Sequence, residues 1–470
     1  MQKALARILL NKTLRGIKRH NGIGLVFVFM LIFVLVACGS QPIGISQKEK
    51  TPEVTVLPLV EVIQAITATT PPEQTLTPQP TQTSLPTRDY FSVAYPISEN
   101  DYVIPLTARR VADDWGTFFF ELQQPAEGKL VYRNELTLEQ REKAFTTDDT
   151  RQMITLEGLS PGTTYQALVL LGNEESGYQQ PGFVGEEWGV NKFRTVSNDW
   201  PLRVGVLGDA SFGDEATQAL VDLMSMQNLD FVIHTGDVVY ETESLDIKNS
   251  YLQKFYLPFK PLLKQEPVYT VLGNHDYDYA VRWQDAPFYD YAFPPFPDTD
   301  FIYPEARRGN QYYALAHQDI QFIMLDTHVF AGGEGREEQD AWLAERLADE
   351  SFRLTIPVFH VAPYSSSIVH PDDGLPVLYS WNWRFEQAHV PLTLSGHFHH
   401  YERLIANGIT YIVSGGGSST LYAQGDLLPE SQIYARRTHF VLLEIYADRI
   451  ELSAISLEGE IIDRATILLN

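Results

Sequence analysis

Cysteine is nearly absent from this sequence, with only Cys38 among 470 residues. An intramolecular disulfide is therefore excluded, and the folded parts must be held together by packing and hydrogen bonds. Positive charge is also scarce, because 60 acidic residues outweigh 35 lysines and arginines and give a formal net charge of -25. Such a chain should repel nucleic acids, so we expect no nucleic-acid-binding role. An anionic substrate would need a local positive centre, such as a metal ion.

Long apolar runs are equally rare, and the longest covers residues 23–37, behind a basic stretch at residues 1–20. It is shorter than the roughly 20 residues that a membrane span needs. The run ends in small residues before Cys38, which resembles a bacterial lipoprotein signal peptide over residues 1–37. We therefore expect export and a lipid anchor on Cys38, at the extracytoplasmic face of the cell membrane. An uncleaved membrane anchor is the alternative.

Two further regions precede residue 198. Residues 38–87 are rich in Thr and Pro and predict a disordered linker, because they hold too little apolar surface to offset ordering. Residues 88–197 contain short alternating runs at 115–122, 152–156 and 165–170, which predict an antiparallel β-sandwich. The segments 156–165 and 192–195 resemble the late strands of a fibronectin type III-like domain. We assign this domain no chemistry.

From residue 202 onward, strand and helix patterns alternate. Apolar runs predict strands at 202–207, 229–234, 268–272, 320–326, 356–360, 391–395, 409–414, 440–446 and 449–456. Helical periodicity covers residues 215–227, a stretch ending at residue 263, and residues 337–349. We therefore predict an α/β fold over residues 198–470, a layered β-sandwich flanked by helices. Such folds place their sites just beyond the carboxyl ends of strands.

Five predicted strand ends carry side chains that can bind metals. They are Asp209, Asp237 with Tyr240, Asn274 with His275, His360, and His397 with His399. Each alone is as easily explained as a turn or core residue, because short motifs have many false matches. Five at successive strand ends predict one shared site.

These segments resemble the motifs of the purple acid phosphatases, within the calcineurin-like metallophosphoesterases. The residues are Gly208-Asp209, Gly236 to Tyr240, Gly273 to Asp276, His360, and Gly396 to His399. The resemblance implies that one metal is bound by Asp209, Asp237, Tyr240 and His399. It also implies that a second metal is bound by Asp237, Asn274, His360 and His397, with Asp237 bridging the two.

The ligand types agree with a dinuclear centre of Fe(III) and a divalent metal (Fe, Zn or Mn). Carboxylate and phenolate oxygens suit the trivalent ion, whereas imidazoles and an amide oxygen suit the divalent one. Such a pair can acidify a water and stabilise the departing oxygen. We therefore predict an acid phosphatase that hydrolyses phosphate monoesters by attack of a bound hydroxide, without a phosphoenzyme.

The resemblance implies three catalytic residues beside the metals. His275 would contact the phosphate, Asp276 would orient His275, and His370 would protonate the leaving group. His370 lies ten residues beyond His360, although plant members often have a second histidine where this chain has Val369. A surface-loop role for His370 is the alternative.

Other features have no motif position. His400 is expected behind the ligands or at the surface, because adjacent strand residues face opposite ways. Five other histidines are expected to be structural, namely His234, His317, His328, His389 and His439. The aromatic-rich segment 277–303 either lines a specificity pocket or packs over the sheet.

Two other functions stay open. The same metals could serve a phosphodiesterase or nucleotide hydrolase, because the motifs determine the phosphoryl chemistry and not the leaving group. A surface binding or adhesion protein with an inert phosphatase domain is the alternative of another class. The sequence does not decide the substrate, the second metal, the pH optimum or the oligomeric state.

Overall fold

The computed structural model describes residues 88–145, 149–210, 212–240, 247–277, 286–294, 311–331 and 335–469. The predicted signal peptide, Cys38 and the linker lie outside these residues. Within the described ranges, no helix is both long enough and apolar enough to cross a membrane.

The described part of residues 88–197 is built mainly of strands in two sheets. The strands are β1 Ile97–Ser98, β2 Tyr102–Val111, β3 Trp115–Leu122, β4 Gly128–Asn134, β5 Gln140–Phe145, β6 Arg151–Glu157, β7 Thr164–Asn173, β8 Gly177–Phe183, β9 Glu186–Glu187 and β10 Asn191–Arg194. One sheet has the order β2-β3-β6, and the other has β1-β8-β7-β4-β5 with β10 paired to β7 and β9 paired to β8. The three strands predicted here are confirmed as β3, β6 and β7. Kinship with fibronectin type III domains stays a prediction.

The C-terminal region holds thirteen of the strands in the described residues. They are β11 Leu202–Leu207, β12 Phe231–His234, β13 Val268–Thr270, β14 Tyr313–His317, β15 Ile320–Leu325, β16 Leu354–Val361, β17 Leu392–Gly396, β18 Tyr401–Ala406, β19 Ile409–Ser414, β20 Ser431–Ala435, β21 His439–Ile445, β22 Arg449–Ser456 and β23 Ile461–Leu468. The described helices are α1 Glu215–Ser225, α2 Ile247–Tyr251, a π-helical segment Leu252–Tyr256, α3 Lys260–Leu263, α4 Pro287–Ala292, α5 Arg336–Leu347, α6 Leu375–Ser380 and α7 Asn382–Gln387. Short 3-10 helices cover Asn274–Asp276 and Thr327–Phe330.

These strands form a layered sandwich of two sheets. The first has the order β13-β12-β11-β21-β22-β23, and the second has β14-β15-β16-β17-β19-β18-β20. Strand β15 shows why its sequence is apolar throughout: Phe322 and Met324 belong to the core between the sheets, whereas Ile323 and Leu325 belong to the core beneath α5 to α7. A strand buried on both faces needs apolar side chains at every position.

The direction of the strands determines where the site lies. Strands β11, β12 and β13 run parallel, as do β15, β16, β17 and β19. The loops that follow β11, β12, β13, β16 and β17 therefore begin at the edge of each sheet where the carboxyl ends of its parallel strands lie. All five predicted motifs lie at these ends.

The sequence did not predict β14, β18, β20, β23, α6 or α7. The aromatic-rich segment is described at Tyr277 and at residues 286–294, where Tyr277, Tyr289 and Phe293 are buried in the core. This part packs over the sheet, as one of the two alternatives held. Residues 278–285 and 295–303 lie outside the described part.

Candidate metal centre

Three of the predicted ligands occupy an unusual backbone conformation. Asp209, Asp237 and His397 have φ values of 57°, 54° and 67°, in the left-handed region that non-glycine residues rarely adopt. Each such residue costs about 1–3 kcal/mol, and such residues concentrate at functional sites.

The glycines before the ligands allow this close approach. A Cβ on Gly236 would lie 2.5 Å from His360 Nδ1, and one on Gly273 would lie 2.1 Å from Asp237 Oδ1. Any larger residue at either position would therefore push two loops of the site apart. Close packing between the loops therefore explains why glycine precedes the ligand in the Gly-Asp and Gly-Asn-His patterns.

One group of donors, which we call the tyrosine site, contains Asp209, Asp237, Tyr240 and His399. The Tyr240 hydroxyl lies 2.7 Å from His399 Nε2 and 3.5 Å from Asp209 Oδ1. His399 Nε2 also lies 3.4 Å from Asp209 Oδ1. The Tyr240 ring is held by Phe212 on one side, at 4.7 Å between centroids, and by His275 at 4.1 Å.

The second group, which we call the histidine site, contains Asp237, Asn274, His360 and His397. His360 Nε2 lies 3.3 Å from Asp237 Oδ1 and 3.2 Å from Asn274 Oδ1. His397 Nδ1 lies 3.0 Å from Asn274 Oδ1 and 3.3 Å from His360 Nε2. The structure thus brings together all seven predicted ligands, and Asp237 is near both sets.

These donor separations fit metal binding. Ligand bonds of about 2.0–2.2 Å place neighbouring donor atoms about 3 Å apart, which is the spacing found here. Asp209, Asp237 and His360 also offer donor atoms that all lie within 4.8 Å of one another. His360 and His399 each place Nδ1 near a backbone carbonyl, of Thr235 at 2.8 Å and Thr420 at 2.9 Å. This contact orients Nε2 toward the centre, as is usual for ligating histidines.

The electrostatics of the site also favour a cation. Burial opposes protonation of His360, yet the attraction of Asp237 outweighs it and raises the His360 pKa to about 10. Burial and the nearby charges of Asp237 and Asp209 raise the pKa of Tyr240 well above its ordinary value. The aspartates therefore favour a proton on His360 and disfavour a phenolate at Tyr240. A bound cation would reverse both preferences.

The site opens into a cavity of about 450 Å³. The described part of its wall includes ligands of both sites, His275, His370, Asp372, Asp373 and Tyr422. An apolar side is formed by residues that include Phe330, Val361, Pro376 and Val377. A pocket of this size holds a small organic ester beside the donor groups.

His275 and Asp276 occupy different positions relative to this cavity. His275 lines the wall, and its backbone N–H donates to Asp237 Oδ1 at 2.9 Å. Asp276 is fully buried behind the wall, where it accepts hydrogen bonds from the backbone N–H groups of Val238 at 3.0 Å and Gly273 at 2.8 Å. Asp276 thus joins two motif loops through their main-chain N–H groups.

His370 lies at the rim of the cavity, close to the histidine site. Its ring centroid is 5.4 Å from that of His397, and its Nδ1 is 3.4 Å from Asp373 Oδ2. The side chain is 49% exposed. The structure therefore places the predicted acid beside the site and in contact with water.

Two further histidines lie close to the site. His328 was expected to be structural, yet it lines the cavity, where its ring stacks on Tyr277 at 4.0 Å. Of the two alternatives for His400, the position behind the ligands holds: it is fully buried, with Nε2 3.1 Å from Glu402 Oε2. Of the remaining four, His234 and His439 are buried, His317 is half-buried and His389 is exposed.

Three side chains of the site were missed by sequence reasoning. Asp373 Oδ2 lies 3.0 Å from His397 Nε2, and Tyr422 stacks on His399 with 4.1 Å between centroids. Phe330 belongs to the apolar wall. None of the three stands in a recognisable motif, so only their place in space reveals them.

Comparison with known proteins agrees with this geometry. Residues 202–401 match the family model for calcineurin-like phosphoesterases. The chain is 24% identical over 230 residues to purple acid phosphatase 22 of Arabidopsis thaliana, covering 48% of this chain and 50% of that protein. It is also 24% identical over 243 residues to a nucleotide pyrophosphatase/phosphodiesterase of Hordeum vulgare, covering 44% of this chain and 63% of that one. The matches thus span about half to two-thirds of these relatives' length.

Solved structures give the same picture of the fold. A purple acid phosphatase from yellow lupin (Lupinus luteus) seeds superposes with a TM-score of 0.62 at 17% identity, over 78% of this chain and 74% of that chain. A structure of PhoD gives a TM-score of 0.57 at 12% identity, over 80% and 90%. The predicted fold class is confirmed as the metallophosphoesterase fold, and residues 202–401 of this chain match the calcineurin-like phosphoesterase model.

Proposed function

We propose that this protein is a metal-dependent acid phosphatase that hydrolyses phosphate monoesters. The observation that carries the proposal is the phenol of Tyr240, which lies 2.7 Å from His399 Nε2 within a cluster of seven metal-binding side chains. A tyrosine among the donors is the feature that we expect of a purple-type centre with Fe(III). The similarity to purple acid phosphatase 22 supports the same choice.

The residues of the chain divide the chemistry between them. When bound, two metal ions would lower the pKa of a water and neutralise charge on the phosphoryl group. The tyrosine site suits the trivalent ion, and the histidine site suits a divalent Fe, Zn or Mn ion. His275 faces the cavity beside Tyr240 and is placed to donate to a phosphate oxygen. His370, at the rim, would donate a proton to the departing ester oxygen.

A second candidate function is hydrolysis of phosphodiesters or nucleotides at the same site. It is favoured by the similarity to the nucleotide pyrophosphatase/phosphodiesterase of Hordeum vulgare. The apolar wall with Phe330 and Val377 could contact the large leaving group of a monoester or the second organic substituent of a diester. The leaving group is therefore the point on which the two candidates differ.

One experiment tests the proposal directly. The purified protein is analysed for metals and assayed on a panel of phosphate monoesters and diesters between pH 4 and 8. We expect two metal ions per chain, faster monoester hydrolysis at acidic pH, and loss of both metal and activity in Asp237→Asn. Activity that survives complete metal removal would refute the proposal, whereas faster diester hydrolysis would favour the second candidate.

We also propose that the enzyme is exported and held at the membrane by lipid on Cys38, with residues 38–87 as a spacer and residues 88–197 as a fibronectin type III-like domain. The support is the basic and apolar sequence that precedes Cys38. Labelling of cells with a radioactive lipid precursor should mark the wild-type protein. Labelling that persists in Cys38→Ala would contradict the anchor.

A further inference from the structure

The three histidines of the candidate metal centre are oriented in two different ways. In His360 and His399, the Nδ1 atom faces a backbone carbonyl, of Thr235 and Thr420 respectively. These carbonyls belong to the main chain, whose position follows from the fold. His397 differs, because its second nitrogen meets the side-chain carboxylate of Asp373 at 3.0 Å.

The direction of the His397 ring follows from its contacts. Nδ1 faces the histidine site, 3.0 Å from Asn274 Oδ1 and 3.3 Å from His360 Nε2. Nε2 faces Asp373 Oδ2, and a carboxylate can only accept a hydrogen bond from that nitrogen. Asp373 therefore favours the tautomer with hydrogen on Nε2, which leaves the Nδ1 lone pair free for a metal.

The same carboxylate also contacts the loop that carries the candidate acid. Asp373 Oδ2 lies 3.4 Å from His370 Nδ1, three residues earlier in the chain. His370 has a φ of 57°, so the loop turns sharply at this residue. One oxygen atom thus lies between a predicted metal ligand and the predicted proton donor.

We propose that Asp373 is a positioning residue for the histidine site. It holds His397 with Nδ1 toward the metal, and it ties the His370 loop to the same ligand. This inference rests on the proposed function, because it requires that the histidine site binds a metal. Displacement of the His370 loop would release one ligand of the histidine site and leave the tyrosine site complete.

Metal binding measured without substrate tests the inference. The wild-type protein, Asp373→Ala, Asp373→Glu and Asp372→Ala are loaded with iron and titrated with Zn²⁺ in competition with a zinc-sensitive dye. Asp372 is the matched control, because it is the adjacent exposed aspartate in the same cavity wall and its removal changes the net charge equally. Circular dichroism checks that each variant is folded.

Loss of a hydrogen-bonding partner behind a metal ligand typically weakens metal binding 10–100-fold. We expect a loss of about that size for Zn²⁺ in Asp373→Ala, substantial recovery in Asp373→Glu, and less than about a twofold change in Asp372→Ala. The visible band of the tyrosine site should persist in all four proteins. Unchanged Zn²⁺ affinity in Asp373→Ala would overturn the inference, as would an equal loss in Asp372→Ala or equal weakening of both sites.

The controls separate this inference from the proposed function. If the wild-type protein binds fewer than two metals, the proposed function fails and this inference fails with it. If the wild-type protein binds two metals and Asp373→Ala binds them equally well, only the role of Asp373 is refuted.

Discussion

At the scale of single residues, the site depends on which atom of each side chain faces the centre. Tyr240 shows this best, because its ring packs against Phe212 and His275 and its hydroxyl lies 2.7 Å from His399 Nε2 and 3.5 Å from Asp209 Oδ1. Tyr422 provides a natural comparison, since it also contacts His399, yet through its ring face. Tyr240 therefore contacts His399 through its hydroxyl oxygen, whereas Tyr422 contacts it through the face of its ring.

We expect the iron-loaded protein to be coloured and Tyr240→Phe to remove the colour. A phenolate bound to Fe(III) gives a visible charge-transfer band, and phenylalanine has no oxygen to supply it. Tyr422→Phe is the matched control and should retain the band, because Tyr422 contacts His399 by stacking. Visible absorption spectra of the three proteins check this. A wild-type enzyme that contains iron, is active and is colourless would show that Tyr240 is not a ligand.

We expect His370→Asn to reduce kcat by about 100-fold or more on alkyl phosphates, which is the usual contribution of a general acid. The loss should be smaller on phenyl phosphates with electron-withdrawing groups, because their leaving oxygen needs no proton. His389→Asn is the control: His389 is also exposed and also has a positive φ, of 53°, and asparagine tolerates that conformation at both sites. Steady-state kinetics check this. An equal loss on both classes of substrate would argue against proton donation by His370.

At the scale of elements, buried carboxylates link the loops that carry the predicted metal ligands and so hold these loops together. Asp276 joins the loops after β12 and β13 through backbone N–H groups. Glu402, in β18, accepts hydrogen bonds from Ser366 at 2.6 Å and from Ser431 at 2.7 Å, and lies 3.1 Å from His400. It thereby links the segment after β16 to β20 and to the residue that follows His399.

The Glu402 network predicts a pH dependence of stability. Burial would raise the pKa of Glu402, but the hydrogen bonds from His400, Ser366 and Ser431 outweigh burial and lower it. A lowered folded-state pKa contributes stability that is present above the ordinary pKa, near 4.5, and that is lost as pH falls through the folded value.

Glu402→Gln should therefore destabilise the protein by about 1–3 kcal/mol at pH 7, with a difference that shrinks below about pH 4.5. Denaturant unfolding at several pH values measures it. Glu174→Gln, at an exposed glutamate between β7 and β8, should change stability little at any pH. A difference between wild type and Glu402→Gln that is constant from pH 7 to pH 3 would show that the charge of Glu402 is unimportant.

Much of this architecture was predictable from sequence, for local reasons. Strands such as β11, β19 and β22 were predicted to the residue, because apolar runs bounded by glycine or polar turns leave few alternatives. The ligands followed from short patterns at those strand ends. Strands β20 and β23 were missed because their residues are mostly half-exposed or exposed, so their burial pattern carries little apolar signal.

Contacts between distant loops were not predictable in the same way. Asp373 meets His397 across 24 positions of sequence, and Tyr422 meets His399 across 23. Nothing in the local sequence distinguishes Asp373 from Asp372 beside it. The choice between them depends on the course of the loop after β16, which long-range packing decides.

At the scale of the whole molecule, the surface charge opposes the proposed substrate. The chain carries a formal charge of -25, so a phosphate ester approaches against a repulsive field. Within the described cavity wall, Asp372 and Asp373 add to this repulsion at the rim. The positive charge of bound metals would lie inside the cavity, so an approaching substrate first meets the negative surface, whose field salt screens over about 8–10 Å.

We therefore expect kcat/KM for an anionic monoester to rise severalfold when KCl is increased from about 10 to 150 mM, because the Debye length shrinks from roughly 30 to 8 Å. Initial rates at substrate concentrations below KM measure the effect. A neutral viscosity agent at matched viscosity serves as the control for diffusion. A fall in kcat/KM over this range would mean that attraction, and not repulsion, dominates the approach of the substrate.

The left-handed backbone at Asp209, Asp237 and His397 implies a conflict between durability and activity. Glycine would relieve the conformational cost at each of these positions, and it would also remove a buried carboxylate at the first two. Substitutions that make the metal-free protein more robust are thus the same ones that delete its ligands. Selection for thermal tolerance alone would erode this centre first, so an engineered stable variant has to leave these three positions fixed.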